Sequence, residues 1–190
     1  MKYVINYWKH VLSGFIVFAM FSLPLFLLHS NAEILMKIDG IDGESTVKGH
    51  EKWLNVDTIF FGTNRAVQTI PGKVDRETSD PALTEISVTR FFDSASPRLF
   101  IEAVAGKARD VQIDFIQSGG TDSPQQVYQT LKLDNVLLSS YNQSSGGERP
   151  SESISLNFTK ITIESTRFEG KTATKLPTVS YDVINNKTGN

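Results

Sequence analysis

The chain has 190 residues, a formal net charge of -2 with 21% charged residues, and no cysteine. That length fits one domain plus a targeting segment, and the absence of a basic excess argues against a nucleic-acid partner. Without cysteine there are no disulfides, thiolate metal sites or cysteine nucleophiles.

The first residues differ from the rest. "MKYVINYWKH" carries Lys2 and Lys9 and no acid, "VLSGFIVFAMFSLPLFLL" is uncharged, and "HSNAE" follows with Ser30 and Ala32. A basic start, an apolar run and a small-x-small exit predict a secretory signal peptide over 1–32, cleaved after Ala32. The alternative is an uncleaved membrane anchor, since 18 apolar residues just span a bilayer. In either case the chain from 33 to 190 is expected outside the cytoplasm, in the periplasm or secreted.

Beyond the leader the pattern is strand-like. Ile34, Met36 and Ile38 alternate, as do Leu54 and Val56 before the run Ile59–Phe61. Ile86 and Val88 alternate, then Val111, Ile113 and Phe115. Leu131 and Leu133 alternate, and the phase then shifts to Val136 and Leu138. Ile154, Leu156 and Phe158 shift similarly to Ile161 and Ile163, and Val179, Tyr181 and Val183 close the series. A one-residue slip turns every side chain to the other face, so bulges are expected at Asp134–Asn135 and Thr159–Lys160. Long bulged strands bend and serve two sheets. The predicted fold is therefore mostly β, a rolled barrel or two-sheet sandwich of seven strands.

One segment departs from that pattern. In "DSASPRLFIEAVAGK", Ser96 suits a cap, Pro97 the first helical position and Gly106 the exit. This predicts one short helix over 97–105, with Leu99, Phe100, Ala103 and Val104 on one face. The polar stretch 63–82, with Pro71-Gly72 and Asp80-Pro81, is long for a loop and reads as an extended hairpin arm or an interaction loop. "NQSSGGERPSES" is a polar linker between two strands, and "NNKTGN" at the end reads as frayed.

Candidates for chemistry are few. "KIDGIDGES" holds Asp39, Asp42 and Glu44 with Gly40 and Gly43, but not at the spacing of a calcium loop. Asp-Gly pairs form turns, so this stretch reads as a turn. His50 is the one histidine after the leader and reads as a surface or capping residue, too few for zinc and with no serine elbow to serve. No carboxylate pair is marked out as a glycosidase dyad. The Gly-Gly pairs lead into strands and not into a helix N-terminus, so they read as turns and not phosphate cradles. Trp53 and Phe60–Phe61 read as core. Triplets at Asn142, Asn157 and Asn186 would carry glycans only in a host that makes them. The residues support a non-catalytic domain with no cofactor, no metal and no small-molecule substrate.

Three motifs carry a resemblance: "MKIDGIDGES" with His50 and "WLNV"; "ISVTRFFDSASPRLF" with "AGK"; and "SSGGERPSESISLNFTKI". In that order they resemble the haemolysin-coregulated protein (Hcp) family, the tube proteins of bacterial type VI secretion. The resemblance implies a rolled barrel with a helix on its side. It also implies protomers in hexameric rings, rings stacked into a tube, and effectors, sheath and spike proteins as partners. It assigns architectural roles to Gly43, Glu44 and Ser45, which would end the first strand. It assigns similar roles to His50, to Gly146, Gly147 and Glu148 before a long strand, and to Asn157 and Phe158 within it. An exported Hcp-fold binding module that builds no tube is the alternative.

Overall fold

A computed structural model describes residues 32–72, 74–117, 125–170 and 172–189. The predicted leader over 1–32 lies outside them except for Ala32. In chain order the strands are β1 (Ala32–Ile38), β2 (Leu54–Val56), β3 (Thr58–Phe60), β4 (Thr63–Asn64), β5 (Val67–Thr69), β6 (Arg76–Thr78), β7 (Ala82–Leu83) and β8 (Ile86–Phe91). The helix α1 (Ser96–Ala105) follows, then β9 (Arg109–Gln117), β10 (Gln126–Ser144), β11 (Ser151–Asn157) and β12 (Lys160–Glu169). Three short strands end the chain: β13 (Thr172–Lys175), β14 (Val179–Asp182) and β15 (Lys187–Gly189).

Antiparallel pairing closes a barrel. β9 pairs with β1 and β10, β10 with β11, β11 with β8, and β8 with β3. β3 continues from β2, which returns to β1. Two places turn the corner between sheets. At Asp57 the chain leaves β1 and joins β8, with the Asp57 amide donating to the Thr89 carbonyl at 2.8 Å. In β10 the register slips between Leu133 and Val136, where Asn135 takes φ +55° and its amide donates to Asp110 Oδ1 at 3.1 Å. This is the bulge the phase shift predicts, and beyond it β10 exchanges β9 and β12 for β11.

The second predicted bulge is instead a break. Phe158 and Thr159 separate β11 from β12, and Thr159 donates through its amide and its hydroxyl to the Asp134 carbonyl, both at 3.2 Å. After the break β12 pairs with β10 on one side and with β14 and β13 on the other. β15 pairs with β14, so the C-terminal "NNKTG" forms a hairpin and is not frayed.

The core is the row the alternation marks: Met36, Ile38, Leu54, Val56, Ile86, Val88, Val111, Ile113, Leu131, Leu133, Val136, Leu138, Ile154, Leu156, Phe158 and Ile161. Val179 and Val183 are the exceptions on β14 and its turn, and both are exposed. Phe60 and Phe61 also correct the expectation. Phe60 is 70% exposed and Phe61 38%, because β3 ends at the edge of the barrel and the chain leaves it there.

Helix α1 spans 96–105 with Ala95 as the N-cap residue and no side-chain cap. Ser96 therefore does not cap as expected; its hydroxyl accepts from the Asp93 amide at 2.9 Å, while Asp93 Oδ1 accepts from the Ala95 amide at 2.9 Å. Gly106 leaves the helix extended, not left-handed. Glycine is needed there for room, since a Cβ would lie 2.2 Å from the Glu102 carbonyl oxygen. Leu99 is buried and Ala103 packs on the core, while Phe100 and Val104 are exposed. At about 100° per residue, the 100/104 pair is turned a quarter of the helix away from the 99/103 pair.

Candidate functional site

Gly43, Glu44 and Ser45 do not end the first strand, which stops at Ile38. The Asp39-Gly40 turn brings Ile41 back to bridge Ile38, with Gly40 at φ +77°. Residues 43–45 then run against 52–53: the Gly43 amide donates to the Lys52 carbonyl at 2.7 Å and the Ser45 amide to the Trp53 carbonyl at 3.0 Å. A Cβ on Gly43 would lie 2.4 Å from the Trp53 carbonyl oxygen, so the approach itself demands glycine. Glu44 reaches the other way and accepts from the Ser94 amide at 3.0 Å, tying this loop to the entry of α1. Ser94, through its side chain first and its amide second, holds the Glu44 carboxyl below its ordinary value. Asp42 pairs with Lys52 at the surface at 3.0 Å. "KIDGIDGES" is thus a turn followed by a backbone clasp.

His50 is not the surface residue expected. Its side chain is 12% exposed, and Nε2 lies 2.8 Å from Asp114 Oδ2 on β9. Asp114 also accepts from the Thr130 hydroxyl at 2.7 Å and from Gln112 Nε2 at 3.1 Å. The Trp53 ring meets the imidazole edge-on at 4.5 Å between centroids. His50 therefore pins the 41–53 loop onto the outer face of the β1–β9 pair. A single histidine after a turn gives no hint of this, because the carboxylate it meets lies far along the chain.

Gly146, Gly147 and Glu148 form the tight connection from β10 to β11, with Gly147 at φ +106°. Ser145 Oγ donates to the Glu148 carbonyl at 2.9 Å. The next residue, Arg149, donates through Nε to the Phe92 carbonyl at 2.8 Å and lies over the Phe91 ring. Asn157, at the far end of β11, donates to Glu85 Oε1 at 2.9 Å, and Phe158 is buried. The family signature is therefore distributed around the barrel. It does not converge on one site.

The buried charges serve the same architecture. Arg90, 1% exposed, donates to Glu152 Oε1 at 2.5 Å, pairs with Asp93, and gives its Nε to the Asn55 carbonyl at 3.2 Å. The Tyr141 hydroxyl donates to Glu152 Oε2 at 2.8 Å. Burial, with that bond to a carboxylate second, pushes the Tyr141 hydroxyl up to about 12. Glu102 accepts Arg109 Nε at 2.7 Å and Nη2 at 3.1 Å, while Arg109 Nη1 donates to the Asp39 carbonyl at 2.6 Å. The Arg109 hydrogen bonds hold the Glu102 carboxyl below its ordinary value. These acids are occupied in holding helix to strand and strand to loop. Among the described residues no group of three His, Asp or Glu side chains is placed to hold a metal.

What the barrel leaves over is surface. Residues 63–83 form the hairpin arm: β4 pairs with β7, β5 with β6, and all residues of β5 and β6 are exposed. Val74 near its tip is 99% exposed. Phe91, Phe100, Ile101, Val104, Leu137 and Ile184 are also exposed by half their area or more, or close to it. The sequence carried one signal for this. The apolar run of α1 covers more than one face of the helix, and one barrel buries only one.

Comparison with known proteins agrees with the fold. A sequence model of the family described as "Type VI secretion system effector, Hcp" matches residues 35–164. The solved "Structure of a type six secretion system protein" is similar at 27% identity and TM-score 0.76, over 84% of this chain and 100% of that one. Hcp1 from Salmonella typhimurium is similar at 21% identity and TM-score 0.66, over 83% of this chain and 98% of that one. A type VI secretion system effector from Yersinia pestis is similar at 24% identity and TM-score 0.55, over 79% and 99%. No curated protein sequence matches. With the family model covering the barrel and its helix, the chain belongs to the Hcp family of type VI secretion.

Proposed function

We propose that this chain is a structural, non-enzymatic subunit that assembles into hexameric rings, which stack into a tube and carry or chaperone effector proteins. The observation that carries the reading is the surface described above. The barrel closes its own core, yet Phe91, Phe100, Ile101, Val104 and Ile184 remain exposed, and an arm stands clear of it. Apolar area of this kind on a self-sufficient domain belongs to contacts between molecules. A ring needs unlike patches meeting head to tail, and a protomer with an apolar helix face, a strand edge and a projecting hairpin supplies them.

Residues 1–32 act as the export leader in this reading, so the assembling unit is the domain 33–190, outside the cytoplasm. The leader favours one second reading: an exported binding module on the same barrel that does not build a tube. Negative-stain images of residues 33–190 separate the two. Six-fold rings support the tube reading. Single particles at every concentration replace it with the module.

A further inference from the structure

The first strand limits how the leader can be removed. The bond expected to be cut, Ala32–Glu33, lies within β1 and not ahead of it. In the antiparallel ladder with β9, Ala32 stands opposite Gln117, Glu33 opposite Ile116 and Ile34 opposite Phe115. From Ile34 onward β1 also pairs with β2, with Ile34 opposite Val56. Ile34 packs against the core, and the next two residues, Leu35 and Met36, are 1% and 0% exposed. Two residues past Ala32, β1 is thus held on both edges and backed by the core.

The spacing to the membrane is equally short. The apolar run ends at Leu28, and only His29, Ser30 and Asn31 separate it from Ala32. Fully extended they cover about 10 Å, little more than a headgroup layer of roughly 6 Å. A protease that reads a cleavage site as an added strand needs free backbone on both sides of the bond. Ala32, Glu33 and Ile34 must therefore come off β9 together, and Ile34 must also come off β2. Fraying of a chain end reaches only as far as the first residue that is firmly held, so it frees Ala32 but not Ile34.

We infer that the leader is removed only before β1 joins β9, and that a barrel closed first keeps its leader. This rests on the leader reading above and adds the order of events. In the unpaired chain, water adds across the Ala32–Glu33 amide, leaving a carboxylate on Ala32 and an amine on Glu33. The shortened β1 then completes its ladder. In a chain that folds first, the 18-residue apolar run remains attached, just long enough to span a bilayer. The released domain and the membrane-anchored domain are then two fates of one chain. β1 cannot pair before β9, which starts at Arg109, has followed it across the membrane, and that interval is the window for cleavage.

The test uses the full chain, folded in detergent micelles and mixed with a purified bacterial leader peptidase, with loss of residues 1–32 followed by mass. A variant with six Gly-Ser residues inserted between Ala32 and Glu33 carries the same leader and moves the site clear of β1. The parent should be cut roughly tenfold or more slowly than this variant, whose barrel should melt like the parent's. The parent unfolded in urea and diluted directly into peptidase should be cut at a rate close to the variant's. Met36→Ala leaves the cleavage site untouched and loosens β1 in place, so it should raise the parent's rate severalfold. A folded parent cut as fast as the insertion variant, or a rate that Met36→Ala does not change, overturns the inference and leaves the leader reading standing. If neither the insertion variant nor the unfolded chain is cut, the leader reading falls and the inference falls with it.

Discussion

In the barrel, each of β1, β8, β9, β10 and β11 turns a row of aliphatic side chains inward, whereas in the arm neither β5 nor β6 buries a single residue. The barrel also buries its charges in fixed partnerships: Arg90 with Asp93 and Glu152, and Glu102 with Arg109. In the arm, Arg65 and Asp75 have no ion-pair partner among the described residues. A hairpin with two short ladders and no buried face gains little from folding by itself. Stability is thus concentrated in the barrel, and the arm adds contact capacity to the apolar side chains that β8, α1 and β10 leave exposed.

Variants can test that division. The largest effect should come from Arg90→Ala, which leaves Glu152 and Asp93 buried without their cation. It should cost about 3–5 kcal/mol in urea unfolding. A loss below about 1 kcal/mol would mean that water reaches those carboxylates. Gly43→Ala should follow, at about 1–3 kcal/mol, because its Cβ would meet the Trp53 carbonyl oxygen at 2.4 Å. If the variant melts like the parent, the 43–53 clasp is looser than described.

Tyr141→Phe should cost about 1 kcal/mol near neutral pH through the lost bond to Glu152. It should also change the alkaline limb. The hydroxyl is neutral in the fold up to about 12, while in the unfolded chain it ionises near its ordinary value of about 10. The folded state therefore holds the proton where the unfolded state has lost it, and stability falls as pH rises through that window. The phenylalanine variant should show a shallower fall between those values, and an unchanged slope would remove Tyr141 from the account. The smallest effect should come from deleting residues 68–79. Lacking any buried residue in β5 or β6, the arm should leave the melting temperature of the barrel within a few degrees. A deletion that unfolds the chain would show that the arm belongs to the fold.

Much of the barrel was legible. Period-two alternation placed nearly all of its core, and the slip from Leu133 to Val136 marked the bulge that bends β10 from one sheet to the other. The slip between Phe158 and Ile161 marks where the ladder is interrupted but not the form of the interruption. A phase change alone does not distinguish an inserted residue from a break. Phe60–Phe61, Phe100, Val104, Val179 and Val183 are exposed against expectation, because hydrophobicity marks what avoids water without saying whether the cover is the same chain. The His50–Asp114 pair was invisible for a different reason: its members are 64 positions apart and meet only when the loop folds across β9. The signature residues at 43–45 and 146–148 were found only by resemblance, and the structure accounts for the glycines by close approach at Gly43 and positive φ at Gly147.

The central claim is that the barrel holds the fold and the exposed surfaces hold the assembly. Native mass of residues 33–190, measured beside the same chain lacking 68–79 across the micromolar range, tests it most directly. The account predicts hexamers and multiples of hexamers for the intact chain, and a shift to smaller species with the barrel still folded when the arm is removed. A monomer in both cases, or an identical mass distribution with and without the arm, would contradict it.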